Sequence, residues 1–387
     1  MENALLNELI INKINIVFKL NRFYVYLCMM KLKSFLHWTV VLPIIATLFY
    51  LLGFLAYGVW GNVVGALLLF GSVLAAVHHA EVVAHKVGEP FGTIILAICI
   101  TILEVGLIVS FMLSGGEGAM TYARDTVFAA VMLILNGILG ICIWVGSRRY
   151  KEQFFITSSA TSYLVSLVAI LVLTLVLPNY TSSKHGPFYT ATQLAFVSLA
   201  CLVIYSSFLM FQTVRHRNYF VVEEADHTLH EADPPTVSKT VISLVLLVIC
   251  LAVVIFMAKG LSPVIEDFVE QIGAPRPLVG VIIATVVLLP EGLAAIRAAR
   301  NNQIQTSINL GLGSALASVG LTIPAVSVVC IVYDIPFVLG LDMKSVILLA
   351  LSVFTVMLSL SRGKTNHLYG SVLLVNLAAY IFTVIFP

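Results

Sequence analysis

The sequence contains few charged residues: Asp, Glu, Lys and Arg together make up 10% of its 387 residues, whereas soluble domains carry about 25%. Hydrophobic residues reach 60% of the chain, against about 45–50% in soluble domains, and the mean hydropathy is +1.04. This composition excludes a water-soluble fold. The net charge of +2 gives no indication of a nucleic-acid-binding surface either.

Familiar metal and catalytic patterns are also missing. The six cysteines are scattered through apolar segments without CxxC spacing, which indicates small core residues rather than a disulfide or zinc framework. The segment HHAEVVAH (78–85) carries three histidines but no HExxH motif, so an ordinary helix end is favoured there over zinc binding or pH sensing. The apolar segments pair no nucleophile with a base, and we expect neither an enzyme nor a bound cofactor.

Long apolar runs dominate what is present. A helix that crosses the hydrocarbon core needs about 20 mostly apolar residues, and about eleven stretches meet that length. They predict an all-α polytopic membrane protein, with a break expected in the ninth. Their approximate limits are 37–57, 60–80, 91–113, 125–146, 155–178, 190–212, 240–260, 277–298, 305–333, 336–361 and 366–386.

The distribution of lysine and arginine predicts the orientation, because cytoplasmic loops are enriched in these residues. Alternate loops hold the richer set, which places the N-terminus in the cytoplasm and the C-terminus outside. That set comprises Lys31, Lys33, Lys86, Arg148, Arg149, Lys151, Arg215, Arg217, Arg297, Arg300, Arg362 and Lys364.

The two halves of the chain repeat a pattern. AEVVAHKVGEPFG (80–92) parallels IEDFVEQIGAPRP (265–277). In each half, a proline near the end of this motif lies fourteen positions before a glutamate, Glu104 or Glu291. Five spans separate corresponding elements, an odd number, so the two copies are predicted to run in opposite directions. Inverted repeats of this kind place a shared site near the bilayer midplane.

Glu104 and Glu291 are expected near the centres of their helices. A carboxylate there costs about 2.5–3.5 kcal/mol to insert, and no lysine or arginine lies mid-span to pair with either one. Two carboxylates about 5 Å apart repel by roughly 3 kcal/mol at an effective dielectric near 20. Protons or a metal cation would remove that repulsion. Pro290 removes a backbone donor and frees a carbonyl oxygen beside Glu291. We therefore predict an ion site in which metal and protons compete.

Other polar residues are weaker candidates. Glu81 and Glu266 are expected near the two ends of the ion path. There they either admit protons or recruit ions, or they are ordinary exposed residues of the membrane interface. Thr101 and Thr285 are expected to bond their own helix backbone. Four residues are candidate accessory ligands, although small residues at helix crossings explain their glycine-rich surroundings equally well. These are Asn136, Asn309, Ser314 and Ser318.

These residues resemble the cation/proton exchangers of the Ca2+/cation antiporter superfamily, and most closely its bacterial ChaA-type branch of sodium-potassium(calcium)/proton antiporters. The likeness runs from about residue 35 to the end and is carried by the motifs HHAEVVAHKVGEPFG, ITILEVGLI, LLPEGLAAIRAARNNQIQTSINLGLGSALASVGLTIPAV and SRGKTN. It implies that Glu104 and Glu291 are the paired repeat glutamates and that Glu81 and Glu266 are the flanking acidic positions.

The sequence departs from the calcium exchangers of that superfamily at both glutamates. Those exchangers usually read GNAxE, whereas CITIL and VVLLP precede the glutamates here. The asparagine amide is therefore missing in both halves, which favours a less demanding monovalent ion.

The resemblance also implies a domain organisation. We expect an N-terminal extension (1–36), a leading transmembrane helix (37–58), a first five-helix repeat (59–214) and an inverted second repeat (240–387). An acidic cytoplasmic loop (215–239) joins the repeats, as a solvated linker or as a cation-sensing segment.

The expected function is exchange of cytoplasmic Na+, K+ or Ca2+ for external protons across a bacterial inner membrane. A cation channel or passive pore is the alternative. The expected partners are inorganic cations, protons and the lipid bilayer, with no nucleic acid.

Overall fold

The computed structural model describes residues 37–88, 91–113, 118–183, 186–220 and 235–387. The predicted N-terminal extension (1–36) and most of the predicted acidic loop (221–234) lie outside the described residues.

In the described residues, ten helices are long and apolar enough to cross a membrane, and one shorter apolar helix precedes them. The chain is therefore a mostly helical polytopic membrane protein. We label the helices α1 (Trp38–Leu51), α2 (Gly58–Val87), α3 (Phe91–Leu113), α4 (Tyr122–Tyr150), α5 (Thr157–Tyr180), α6 (Ala191–Arg215), α7 (Val237–Gln271), α8 (Pro277–Arg300), α9 (Ile304–Val332), α10 (Met343–Leu360) and α11 (His367–Ile385).

Most of the predicted limits agree with the observed helices to within a few residues. Helices α2 and α7 are longer than predicted, with 30 and 35 residues. Helix α1 is shorter because Gly53, in the left-handed conformation, follows it. Its 14 residues rise only about 21 Å, less than the hydrocarbon thickness of about 30 Å.

The largest difference lies before α10. The apolar run from residue 336 was predicted to be helical, but α10 begins only at Met343. Val338 instead forms a β-bridge with Phe188, and Leu339 N–H donates to the Pro187 carbonyl at 3.2 Å. The preceding residues therefore pack as an extended connection on one end of the bundle.

Loops on the other end are tied to each other. Strand β1 (Gln153–Phe154), between α4 and α5, pairs antiparallel with β2 (Lys364–Thr365), between α10 and α11. The Gln153 amide also donates to the Ala299 carbonyl at the end of α8, at 3.0 Å. We call this end, which carries the loops 151–156, 301–303 and 361–366, the basic side.

Proline and π-helical segments disturb the helices differently from what the sequence predicts. Helix α8 continues through Pro290 without a break. Helix α9 holds a π-helical segment, Ser318–Thr322, in place of the expected break, and α4 holds another at Leu133–Ile138. A π segment widens a helix locally and is frequent at functional sites.

Local features of the predicted repeat recur in both halves. Gly88 ends α2 and Gly273 follows α7, and both have positive φ, at 76° and 67°. The π segments of α4 and α9 also occupy the third span of each predicted repeat. These features support the inverted repeat, which stays a prediction.

Gly280 lets α8 approach α4 closely. A Cβ atom at this position would lie 2.7 Å from the Asp125 carbonyl carbon and 2.8 Å from the Thr126 nitrogen. Backbone atoms cannot move aside as a flexible side chain can, so any larger residue would push the two helices apart.

We therefore expect Gly280→Ala to lower the stability of the detergent-solubilised protein by about 1–3 kcal/mol, the usual cost of overpacking. Gly313→Ala is the control, because its Cβ would lie 3.5 Å from the Tyr163 hydroxyl, an ordinary contact. Thermal unfolding followed by tryptophan fluorescence measures both. Equal midpoints for the two variants would contradict the close α8–α4 contact.

Candidate functional site

Helix α9 holds both predicted glutamates through its hydroxyl side chains. Glu104 on α3 accepts hydrogen bonds from the Ser318 hydroxyl at 2.6 Å and from the Thr322 hydroxyl at 2.8 Å. Glu291 on α8 accepts one from the Ser314 hydroxyl at 3.3 Å. The structure thus brings the two acids to one helix.

The spacing of their partners indicates how far apart the acids lie along α9. Ser314 and Ser318 are four residues apart on α9, which corresponds to a rise of about 6 Å. Two charged carboxylates at such a distance repel by about 3 kcal/mol at an effective dielectric near 20. The pair is therefore poised to bind a positive charge.

The two acids differ in their surroundings. Glu104 is 4% exposed and has both oxygens bonded to hydroxyls. Glu291 is partly exposed and has a single, longer hydrogen bond. None of the ion pairs recorded among the described residues involves either acid. Glu291 is therefore the more accessible of the two to an arriving ion.

Both acids line one cavity of about 420 Å³. Its walls come from α3, α5, α6, α8 and α9 and from Phe220, which follows α6. The polar lining includes the two acids, Thr101, Asn309, Ser314 and Ser318. On α3 and α9 the lining residues lie between the glutamates and the basic side, so the cavity extends toward that side.

Carboxylate and hydroxyl oxygens are the ligands that hard cations prefer in proteins. Two carboxylates and the hydroxyls of Ser314, Ser318 and Thr322 converge at the end of this cavity. In the arrangement described here the hydroxyls donate to the carboxylates. To coordinate a cation they would rotate and offer their oxygen lone pairs.

The asparagine candidates lie in different places. Asn309 lines the cavity, but its amide oxygen accepts from Gln305 at 2.9 Å and its amide nitrogen donates to the Phe220 carbonyl at 2.8 Å. Asn136 is fully buried and donates to the Ser352 hydroxyl at 2.8 Å. It is outside the cavity lining.

The flanking acids also differ in position. Glu81 is exposed on α2 and outside the lining of the acid-pair cavity. Glu266 on α7 accepts a hydrogen bond from the Ser262 hydroxyl at 3.1 Å and lines a separate cavity with Tyr122 and Arg276. Neither flanking acid therefore lines the cavity of Glu104 and Glu291.

Sequence reasoning missed Thr322 and the aromatic wall. Thr322 lies four residues after Ser318, so helical spacing alone would have placed its hydroxyl on the same face. Tyr163, Phe208 and Phe220 line the cavity, but their sequence context gives no signal beyond ordinary apolar spans. Thr101 and Thr285 do bond their own helix backbone, as predicted.

The histidine segment HHAEVVAH shows no metal centre. His78 stacks on His37, with ring centroids 5.8 Å apart, and contacts His79 edge-on. Across the part of the chain that the structure describes, no three or more His, Cys, Asp or Glu side chains form a group suited to a metal ion.

Comparison with known proteins identifies similar sequences. The family described as sodium/calcium exchanger protein matches residues 57–214 and 242–386. A Sinorhizobium fredii protein, y4hA, which carries the name of an ionic transporter, is 45% identical over 309 residues, covering 79% of this chain and 83% of the relative. The sodium-potassium/proton antiporter ChaA of Escherichia coli is 31% identical over 327 residues, covering 84% and 88%.

Solved structures share the fold. The structure of native YfkE superposes with a TM-score of 0.64 at 18% identity, covering 86% of this chain and 99% of that one. The H+/Ca2+ exchanger CAX superposes with a TM-score of 0.62 at 14% identity, covering 83% and 82%.

Thr322→Val tests the hydroxyl contact with Glu104. The substitution keeps the side-chain shape and removes one donor to a buried carboxylate, so we expect a loss of stability of about 1–3 kcal/mol. Thr285→Val is the matched control, because the Thr285 hydroxyl bonds only the Val281 carbonyl of its own helix. Equal thermal midpoints for the two valine variants would contradict the contact.

Proposed function

Since the chain belongs to the sodium/calcium exchanger protein family, we propose that it exchanges cytoplasmic Na+, K+ or Ca2+ for external protons at Glu104 and Glu291, by alternating access. The protein is a cation transporter of the exchanger type, not an enzyme. Relatives that match most of the chain are named as a sodium-potassium/proton antiporter in Escherichia coli and a Ca2+/H+ antiporter in Bacillus subtilis.

Mutual repulsion of the two acids supports coupled exchange. Both acids sit among buried helices, where charge is expensive, so protons occupy them when no cation is bound. An arriving cation supplies the same neutralising charge and displaces protons. With both acids protonated beforehand, a divalent cation displaces two protons and a monovalent cation one. Because the cation and the protons that it displaces occupy the same carboxylates, they are carried in separate steps.

The shape of the cavity supports alternating access. Along α3 and α9 its lining runs from the acids toward the basic side. Beyond Glu104 on α3, the residues Leu107, Ile108 and Phe111 are buried and pack between the acids and the opposite side. This arrangement corresponds to a state whose cavity faces the basic side. The predicted inverted repeat would supply the mirrored state.

The enrichment of lysine and arginine on the basic side assigns it to the cytoplasm. The cavity would then face the cytoplasm, the N-terminus would lie inside and Pro387 outside. The bacterial relatives support an inner-membrane location.

The observation that carries this proposal is the attachment of Glu104 and Glu291 to neighbouring hydroxyls of α9. Replacing either acid with its isosteric amide removes the exchangeable proton and the negative charge. We expect Glu104→Gln and Glu291→Gln each to lower exchange at least about a hundredfold, since a buried charged ligand is worth roughly 3 kcal/mol or more. Exchange is measured in everted vesicles with a pH-sensitive dye during additions of Na+, K+ and Ca2+.

Glu152→Gln is the control for these substitutions, because Glu152 is 45% exposed and pairs with Lys364 in a loop. We expect it to exchange at the parental rate. Parental rates in Glu291→Gln would remove that residue from the site. Cation flux without any proton movement would instead favour a channel or passive pore.

A further inference from the structure

Phe220 occupies the cavity wall at its basic-side end. It follows α6, lines the cavity and is 8% exposed. Its carbonyl bonds to Asn309, nine residues before Ser318 on α9. Nine helical residues rise about 14 Å, so Phe220 lies well removed from the acids, toward the basic side.

Three other rings hold the phenyl group of Phe220. Its ring meets Tyr163, Phe208 and Phe211 edge-on, with centroids 5.5, 6.0 and 6.2 Å away. The Tyr163 hydroxyl accepts a hydrogen bond from Gln212 at 2.9 Å. Edge-on contact is a preferred geometry for aromatic pairs. The phenyl ring is therefore seated in a defined aromatic socket.

A fully bonded amide network orients Asn309 toward Phe220. The Gln305 amide nitrogen donates to the Ser159 hydroxyl at 2.6 Å and to the Asn309 amide oxygen at 2.9 Å. The Gln305 amide oxygen accepts from the Ile156 backbone N–H at 2.6 Å. With its oxygen occupied, Asn309 must present its nitrogen to the Phe220 carbonyl.

The described backbone that precedes Phe220 forms a short turn. Residues Arg217–Tyr219 form a single 3-10 turn, and the Phe220 N–H donates to the Arg217 carbonyl at 3.0 Å. A 3-10 turn is short and has poorer hydrogen-bond geometry than an α-helix. Among the described residues, Phe220 is held by one side-chain hydrogen bond and the ring contacts, so it can leave its socket while α6 and α9 stay in place.

We propose that Phe220 gates the basic-side entrance of the cavity and that Asn309 is the positioning residue that holds it there. A phenyl ring seated among other aromatic rings excludes water, and hydrophobic constrictions of this kind gate ion paths. The role in transport rests on the proposed exchange function. It also assigns Asn309 to the gate rather than to the ion. The acidic segment from residue 221 continues directly from the gate in sequence.

The test measures access to the cavity without requiring transport. Thr101→Cys, in a background with the native cysteines replaced, places a thiol in the cavity between Phe220 and Glu104. Everted vesicles are treated with a membrane-impermeant charged maleimide. Because labelling follows the population of the open form, we expect Phe220→Ala to accelerate it about tenfold or more, and Asn309→Leu to accelerate it several-fold.

Tyr219→Ala is the matched control. It removes the neighbouring aromatic ring of the same turn, which is outside the cavity lining, and we expect the parental labelling rate. Phe220→Leu keeps an apolar side chain at the gate, and we expect an intermediate rate. Asn309→Leu provides the test independently if Phe220→Ala does not fold.

Three results would overturn the gate: an unchanged rate in both Phe220→Ala and Asn309→Leu, an equal acceleration in Tyr219→Ala, or rapid labelling in the parent protein. Absence of cation exchange in the protein with its native Thr101 and cysteines, together with the expected labelling pattern, would contradict only the transport role.

Discussion

Two carboxylates bonded to adjacent turns of α9 impose the constraint on which the rest of the structure depends. Glu104 and Glu291 belong to different halves of the chain, yet Ser314, Ser318 and Thr322 gather them on one helix. Without these donors each acid would be an unpaired polar group among buried helices, at a cost of about 1–3 kcal/mol or more. The hydroxyls satisfy the acids and leave them free to exchange partners, because a hydroxyl is both donor and acceptor.

The fold brings α3, α8 and α9 together by close helix packing. Gly280 permits backbone contact between α8 and α4, and Gly370 permits the same between α11 and α4 at Trp144. Helix α4 is thereby enclosed on two faces. Loop contacts at both ends of the bundle, including the β1–β2 pair, hold the helices in register. A rigid frame thus surrounds a cavity whose basic-side wall depends on a few side-chain contacts near Phe220.

The sequence predicts the helices well, and the structure brings the two predicted acids to one helix. Long apolar runs have few alternatives in a bilayer, so most limits agree with the observed helices. An acidic residue within such an apolar run has few explanations other than an ion-binding site. The prediction of a helix from residue 336 was wrong, because apolar residues at a bundle end can pack in an extended conformation. The partners of Asn136 and Asn309 depend on Ser352 and Phe220, which lie far away in sequence and which no local pattern reveals.

The π-helical segment of α9 contains both Ser318 and Thr322, and it contributes one surplus residue to an otherwise regular helix. If that surplus residue moved along the axis, the wide turn would shift while the hydrogen-bonded helix on either side of it persisted. Each residue that the wide turn passed would rotate about the helix axis by about 100°, the rotation per residue of an α-helix. A displacement by one turn would swing both hydroxyls away from Glu104, so a small rearrangement within a single helix could release that carboxylate while the surrounding bundle stays in place.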